Sequence, residues 1–186
     1  MNTFRSQLIV LSAPSGAGKT TIARALTRRF KEFTISVSAT TRPRRPREKE
    51  GRDYHFLSIG EFKKNISEDN FLEYEEVHGD LYGTMKSSVQ ALLDKGHIVV
   101  FDIDVNGALS IKKLYPRAIL IFIKPPSLDE LKKRLKNRKS ESENAISKRL
   151  QRIEFEYAQA EKFDHIIVND HLHHALDQIE KLILIK

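Results

Sequence analysis

The sequence predicts an α/β fold: a three-layer core with a central parallel sheet flanked by helices. Three observations predict it. Leu8-Ile9-Val10-Leu11 is a continuous apolar run with β-branched residues, the pattern of a strand buried on both faces. Further apolar runs follow at Ile98-Val99-Val100-Phe101, Ala118 to Ile123 and Ile166-Ile167-Val168. Helical spacing fills the intervals, from Thr20 to Phe30, Val89 to Leu93, Ala108 to Leu114, and a long stretch from Leu128 onward. Strands alternating with helices argue for a parallel sheet covered on both faces. A length of 186 residues, 40% hydrophobic and 31% charged, suits one domain with a well-buried core.

Two segments break the rhythm. From about Ser38 to Thr84 the pattern is shorter and more polar, with Tyr54-His55-Phe56-Leu57 and Phe71-Leu72-Glu73-Tyr74 reading as short, partly exposed strands. Between them Ser58-Ile59-Gly60-Glu61 has the form of a capping box. The second segment follows Pro125-Pro126, where Ser127 to Glu130 is another capping box opening a basic helical region. These are two insertions on the core, one arginine-rich, the other helical and basic. The chain divides into a core of about 1–37, 85–125 and 157–186, a first insertion of about 38–84 and a second of about 126–156.

Composition excludes some chemistry. The chain has no cysteine, so disulfides and thiolate metal sites are out, and a reducing compartment is expected. No run of 18 apolar residues and no signal-peptide pattern is present, so a cytoplasmic protein without membrane contact is expected. The formal net charge is +7. Five arginines fall between Arg42 and Arg52, and a second basic run covers Lys132 to Arg138. Such runs are often solvated faces or nucleic-acid patches. Here the first is local rather than a stripe, and aromatic interleaving is sparse, so nucleic acid is not expected as a partner.

The chemistry begins at Ala13-Pro14-Ser15-Gly16-Ala17-Gly18-Lys19-Thr20. A buried strand ends at Ser12 and an amphipathic helix starts at Lys19, the setting in which a phosphate loop works. Its backbone N–H groups turn inward on phosphate oxygens, which needs angles that glycine adopts cheaply. Lys19 then reaches the β and γ phosphates of a nucleoside triphosphate, and the Thr20 hydroxyl ligates Mg²⁺. Ala13 stands where the pattern asks for its first glycine, tolerable if φ there is negative. Asp102, closing the strand from His97, is placed to orient Mg²⁺ or its waters.

A phosphate loop alone does not separate GTPases, motors and small-molecule kinases. An acceptor with its own phosphate would need guanidinium forks, and Ser38-Ala39-Thr40-Thr41-Arg42-Pro43-Arg44-Arg45 supplies them on a loop stiffened by proline.

That order of motifs resembles the guanylate kinases. Ser38 to Arg42 with Arg45 and Tyr54, Phe71-Leu72-Glu73, Tyr82-Gly83-Thr84, Asp102 to Gly107, Lys133-Arg134-Leu135 with Arg138, Lys148-Arg149-Leu150 and Ile167 to Asp170 follow the family's sequence, from about Leu8 to the C-terminus. The resemblance implies a P-loop core with a GMP-binding insertion and a lid, catalysing ATP + GMP ⇌ ADP + GDP, with dGMP a further acceptor. It implies that Arg42, Arg45, Tyr54 and Tyr82 hold the GMP phosphate. Ser38, Glu73, Thr84 and Asp104 would read guanine, with Gly83 beside them, and Asn169 would join the phosphate loop at the ATP site. A single carboxylate can accept from guanine N1–H and N2–H₂ together, whereas adenine presents an unprotonated N1 there. The Ser38 and Thr84 hydroxyls can donate to O6. Arg134, Arg138 and Arg149 would close over the transferring phosphoryl group beside Lys19.

The chain departs from the family pattern at Arg44 and Arg47, where proline and glycine are expected. It departs again at Asn106 in place of glutamine, and at Asn137 and Lys139 in place of glycines. His171, His173 and His174 read as surface histidines rather than a metal tract. His55, His78 and His97 have no partner visible in the sequence, which also leaves oligomeric state open.

Overall fold

The computed structural model describes residues 4–77, 79–131 and 152–184. Its core is a five-stranded, all-parallel sheet in the order β2-β7-β1-β8-β9. The strands are β1 (Leu8–Ser12), β2 (Phe33–Ile35), β7 (Ile98–Asp102), β8 (Ile119–Lys124) and β9 (His165–Val168). β1 lies at the centre and is buried throughout.

Alternation along the strands splits the core into two layers. Ile9, Leu11, Val100, Ile121 and Ile123 face one side, where they meet Ile22 and Leu26 of α1 (Lys19–Arg29) and Ile179 and Ile183 of α5 (Leu172–Ile183). Val10, Val99, Phe101, Leu120 and Phe122 face the other, against Val89 of α3 (Lys86–Asp94) and Val105 and Ile111 of α4 (Val105–Leu114). Each such side chain, fully withdrawn from water, contributes about 1.5–3 kcal/mol. The three layers expected from the sequence are present.

A second sheet of four strands, β4-β3-β6-β5, carries its own small core. It comprises β3 (Ala39–Thr40), β4 (His55–Phe56), β5 (Phe71–Val77) and β6 (Asp80–Met85), with α2 (Ile59–Ser67) between β4 and β5. Phe62 of α2 stacks on Phe71 at 4.5 Å and packs with Ala39. Ser58 caps α2 through both arms of a capping box with Glu61.

Several boundaries differ from the sequence reading. β2 was not foreseen; three residues following a helix give no periodicity to read. α3 begins at Lys86 rather than Val89, and α4 at Val105 rather than Ala108, because Asp104 caps it by accepting from Gly107 N–H at 2.8 Å. β9 is an edge strand with Ile166 and Val168 each 44% exposed, though its run is as apolar as the central ones. At the second capping box, the Ser127 hydroxyl accepts from Glu130 N–H at 3.1 Å. Among the described residues no helix is long and apolar enough to cross a membrane.

Candidate active site

Between β1 and α1 the chain turns through Gly16 and Gly18, both with positive φ, at 92° and 94°. Gly18 is the N-cap of α1, so the N-terminal N–H groups of that helix face the loop's concavity. Among the described residues Asp69 alone is non-glycine with positive φ, so Ala13 sits in ordinary backbone and its missing glycine costs nothing. Asn169 braces the loop from behind: it donates to the Ala17 carbonyl at 2.8 Å and is buried.

Lys19 projects from the first turn of α1 toward the end of β7. Its ammonium donates to the Ile103 carbonyl at 2.6 Å and pairs with Asp102 at 3.1 Å. Thr20, next along α1, is exposed. The loop, Lys19 and Asp102 therefore form one corner at the C-terminal ends of two parallel strands, where open α/β sheets place ligands.

The arginine loop faces that corner. Its threonines anchor it: the Thr40 hydroxyl donates to the Leu81 carbonyl at 2.9 Å, and the Thr41 hydroxyl accepts from Leu81 N–H at 2.9 Å. Carboxylates then shape it. Glu48 accepts from the Arg42 guanidinium and from Arg45 N–H, each at 2.8 Å. Asp53 accepts from Lys49 N–H at 2.9 Å and from Arg24 of α1 at 2.6 Å. Arg42 lies over the Tyr54 ring, which meets Tyr82 edge-on at 6.0 Å. Burial, then the charge of Asp102, pushes the Tyr54 hydroxyl up to about 12, so it stays a neutral donor.

Glu73 lies deep in the same cleft, 7% exposed on β5. The Thr84 hydroxyl donates to it from the paired strand, and its Oε2 lies 2.5 Å from where a Cβ on Gly107 would stand. Burial, opposed by the Thr84 bond and reinforced by nearby Asp104, raises its carboxyl to about 7.

These groups open onto one cleft of about 340 Å³. Ala13, Pro14, Ser15, Gly16, Gly18, Lys19 and Thr20 line one side, with Asp102 and Asp104. Ser38, Arg42, Arg45, Tyr54, Glu73, Tyr82 and Gly83 line the other. Three residues from the sequence reading stand back from it. Ala17 is fully buried beneath the phosphate loop, Asn169 supports that loop, and Thr84 points its hydroxyl at Glu73. Arg134, Arg138 and Arg149 lie outside the described residues.

Sequence reasoning missed Arg152 and Glu156. Both line the cleft, and Arg152 pairs with Asp104 at 2.9 Å and with Glu156 at 3.2 Å. Burial raises the Glu156 carboxyl against the pull of Arg152. Asn106 donates to Glu75 at 3.0 Å on the cleft's edge. His55 does have a partner, Glu50 at 3.1 Å, and His171, His173 and His174 are exposed and packed against one another.

Comparison with known proteins agrees with this arrangement. A family model described as guanylate kinase matches residues 5–185. A guanylate kinase of Clostridium acetobutylicum is 48% identical over 177 residues, 95% of this chain and 84% of the relative. One from Chlorobaculum tepidum is 46% identical over 94% of this chain and 90% of its own length. The crystal structure of guanylate kinase from Anaplasma phagocytophilum superposes with a TM-score of 0.78 at 33% identity, covering 98% of this chain and 86% of that one. A shikimate kinase from Bacteroides thetaiotaomicron, at 16% identity and a TM-score of 0.53, shares the fold. The chain belongs to the guanylate kinase family.

Proposed function

We propose that the protein transfers the γ-phosphoryl group of ATP to GMP, and to dGMP, giving ADP and the nucleoside diphosphate. The observation that carries this is the single cleft that joins a phosphate loop to an arginine–tyrosine cluster with a buried carboxylate at its floor. In this reading the loop from Ala13 to Thr20 holds the ATP phosphates, and Lys19 neutralises charge on the group in transit. Arg42, Arg45, Tyr54 and Tyr82 grip the GMP phosphate. Glu73 accepts from guanine N1–H and N2–H₂, Ser38 donates to O6, and Asp104 completes the base end. Thr84 acts through Glu73 by orienting its carboxylate.

An oxygen of the GMP phosphate attacks Pγ while the bond to the β,γ-bridging oxygen breaks, and ADP leaves. The acceptor is already anionic, so no general base is needed. Catalysis is then positioning and charge neutralisation. Arg134, Arg138 and Arg149 complete the proposal as the charges that close over the transferring group.

Exposed Thr20 and half-buried Asp102 offer the hard oxygen donors that Mg²⁺ prefers beside the loop, so the residues fit the ion. Held by these two residues, Mg²⁺ would supply positive charge that offsets the charge of the ATP phosphates. The same reading takes 38–84 as the acceptor insertion, 126–156 as the lid, and the cytoplasm as the location.

A coupled ADP-release assay tests it across GMP, dGMP, AMP, UMP and dTMP, with and without EDTA. Mg²⁺-dependent turnover that favours GMP and dGMP is expected. Faster turnover with AMP would sink the guanine assignment, and no turnover with any acceptor would remove the kinase reading.

A further inference from the structure

Arg152 is a cleft-lining cation that no motif singles out. It lies in a helical stretch described from 152 to 159 and reaches 48 positions back along the chain to Asp104. Its Nη2 donates to Asp104 Oδ2 at 2.9 Å, and its Nε to Glu156 Oε1 at 3.2 Å. Both ends of the Asp104 pair are largely withdrawn from water, with side chains 22% and 14% exposed.

The other Asp104 oxygen is already committed, accepting from Gly107 N–H as the cap of α4. Capping fixes one oxygen and leaves the second free to turn. The guanidinium removes that freedom, so each of the two oxygens is held by its own donor. The same helical turn seats Glu73, whose carboxylate rests against Gly107. Asp104 and Glu73 are thus neighbouring carboxylates over one turn, with Glu156 close by. Lys19 is engaged by Asp102 and Arg42 by Glu48, and among the described residues Arg152 is the cation paired with Asp104.

We propose that Arg152 is a positioning residue for acceptor recognition: it fixes the outer oxygen of Asp104 at the base-reading end of the cleft and ties that carboxylate to the helix at 152–159. The proposal rests on the GMP reading of the cleft. A guanidinium suits the task because its planar fork reaches Asp104 and Glu156 at once, which a lysine's single ammonium does less well.

The test is steady-state kinetics with Arg152→Gln, Arg152→Lys, Asp104→Asn and the double variant Arg152→Gln/Asp104→Asn. Losing a charge-assisted bond should raise KM for GMP about tenfold in Arg152→Gln, while kcat and KM for ATP stay within about twofold. Arg152→Lys should recover part of that loss. The double variant should be no worse than the poorer single, because both remove one interaction. Equal changes in kcat or in KM for ATP would overturn the proposal, as would full additivity in the double variant. So would a lowered melting temperature with an unchanged KM for GMP, the mark of a merely structural pair. Wild-type protein that does not use GMP would overturn the function reading and this proposal together; active wild type with an unaffected Arg152→Gln would overturn this proposal alone.

Discussion

Glu73 and Thr84 face each other across β5 and β6, and the threonine hydroxyl donates to the buried carboxylate. A serine or threonine beside a carboxylate in a cleft looks like two independent ligand groups. Here the hydroxyl's one proton is spent on Glu73, which leaves the carboxylate oriented and partly compensated.

The first expectation concerns pH. The Glu73 carboxyl is raised from 4.5 to about 7 by burial, so the folded protein holds this proton more tightly than the unfolded chain. Its contribution therefore favours folding at low pH and is lost as pH rises from about 4.5 through 7. Glu73→Gln should stabilise the protein above pH 7 by of the order of 1–3 kcal/mol and change little near pH 4, measured by thermal unfolding. In the proposed reading the nucleotide has the opposite preference, because the ionised form is the one that would accept from guanine. KM for GMP should rise about tenfold between pH 8 and pH 6 in the wild type and much less in Glu73→Gln, whose profile reports the GMP phosphate alone. A wild-type profile matching that of Glu73→Gln would remove Glu73 from base recognition.

The phosphate loop yields a second expectation. Gly18 combines φ of +94° with a backbone so close to Asn169 that a Cβ would lie 2.5 Å from its Nδ2. Gly18→Ala should cost about 1–2 kcal/mol from the left-handed backbone and raise KM for ATP far more than KM for GMP. Asn169→Ala would leave the Ala17 carbonyl unpaired and loosen the same loop. In the double variant the side-chain clash is gone but the backbone strain stays, so ATP affinity should recover only in part. Nucleotide titration by calorimetry measures this, and complete recovery would show that the clash was the whole effect.

The core and the phosphate loop were legible because their signals are local. β1 is a continuous apolar run, Gly16 and Gly18 follow it, and an amphipathic helix comes next. β2 was hidden because three residues carry no period, and the exposure of Ile166 and Val168 was hidden because edge position depends on strand order. Site residues divide the same way. Arg42 and Glu73 announce themselves within motifs. Glu48, Asp53 and Arg152 do not, since a charged side chain outside any motif reads as solvated until the fold supplies its partner. Asp53 meets Arg24 across 29 positions and Arg152 meets Asp104 across 48, distances at which no spacing rule operates.

A third expectation follows from Lys19. Its ammonium is held by Asp102 and the Ile103 carbonyl at the mouth of the loop. Lys19→Met keeps the stem but removes the charge, so kcat should fall by about 10²–10³ or more, the scale for deleting one preorganised charge donor. GMP binding should be unchanged, because the groups proposed to hold it line the other side of the cleft. Equilibrium binding of GMP together with single-turnover rates separates the two, and a parallel loss of GMP affinity would place Lys19 at the wrong end.

The last expectation sets Arg24 against Asp53, two partners of one ion pair with unequal consequences. Arg24 is 53% exposed and Asp53 6%. Exposed pairs contribute about 0–1 kcal/mol, so Arg24→Gln should be nearly silent in stability. Asp53→Asn is different, because the same carboxylate accepts from Lys49 N–H and from Arg52, and so closes the loop that leads to Tyr54. Burial opposes ionisation there, yet these donors outweigh it and hold the carboxyl below its usual 3.8. The stability it contributes is therefore present above pH 4 or so and lost as pH falls through the depressed value. Asp53→Asn should lower the melting temperature at pH 7, and the gap to wild type should close toward pH 3. KM for GMP should rise several-fold, with KM for ATP unchanged, because the loop it braces carries the groups proposed to hold the acceptor phosphate and not those proposed to hold ATP. Equal effects from Arg24→Gln and Asp53→Asn would mean that the link to α1, rather than the loop's own closure, holds the acceptor side in place.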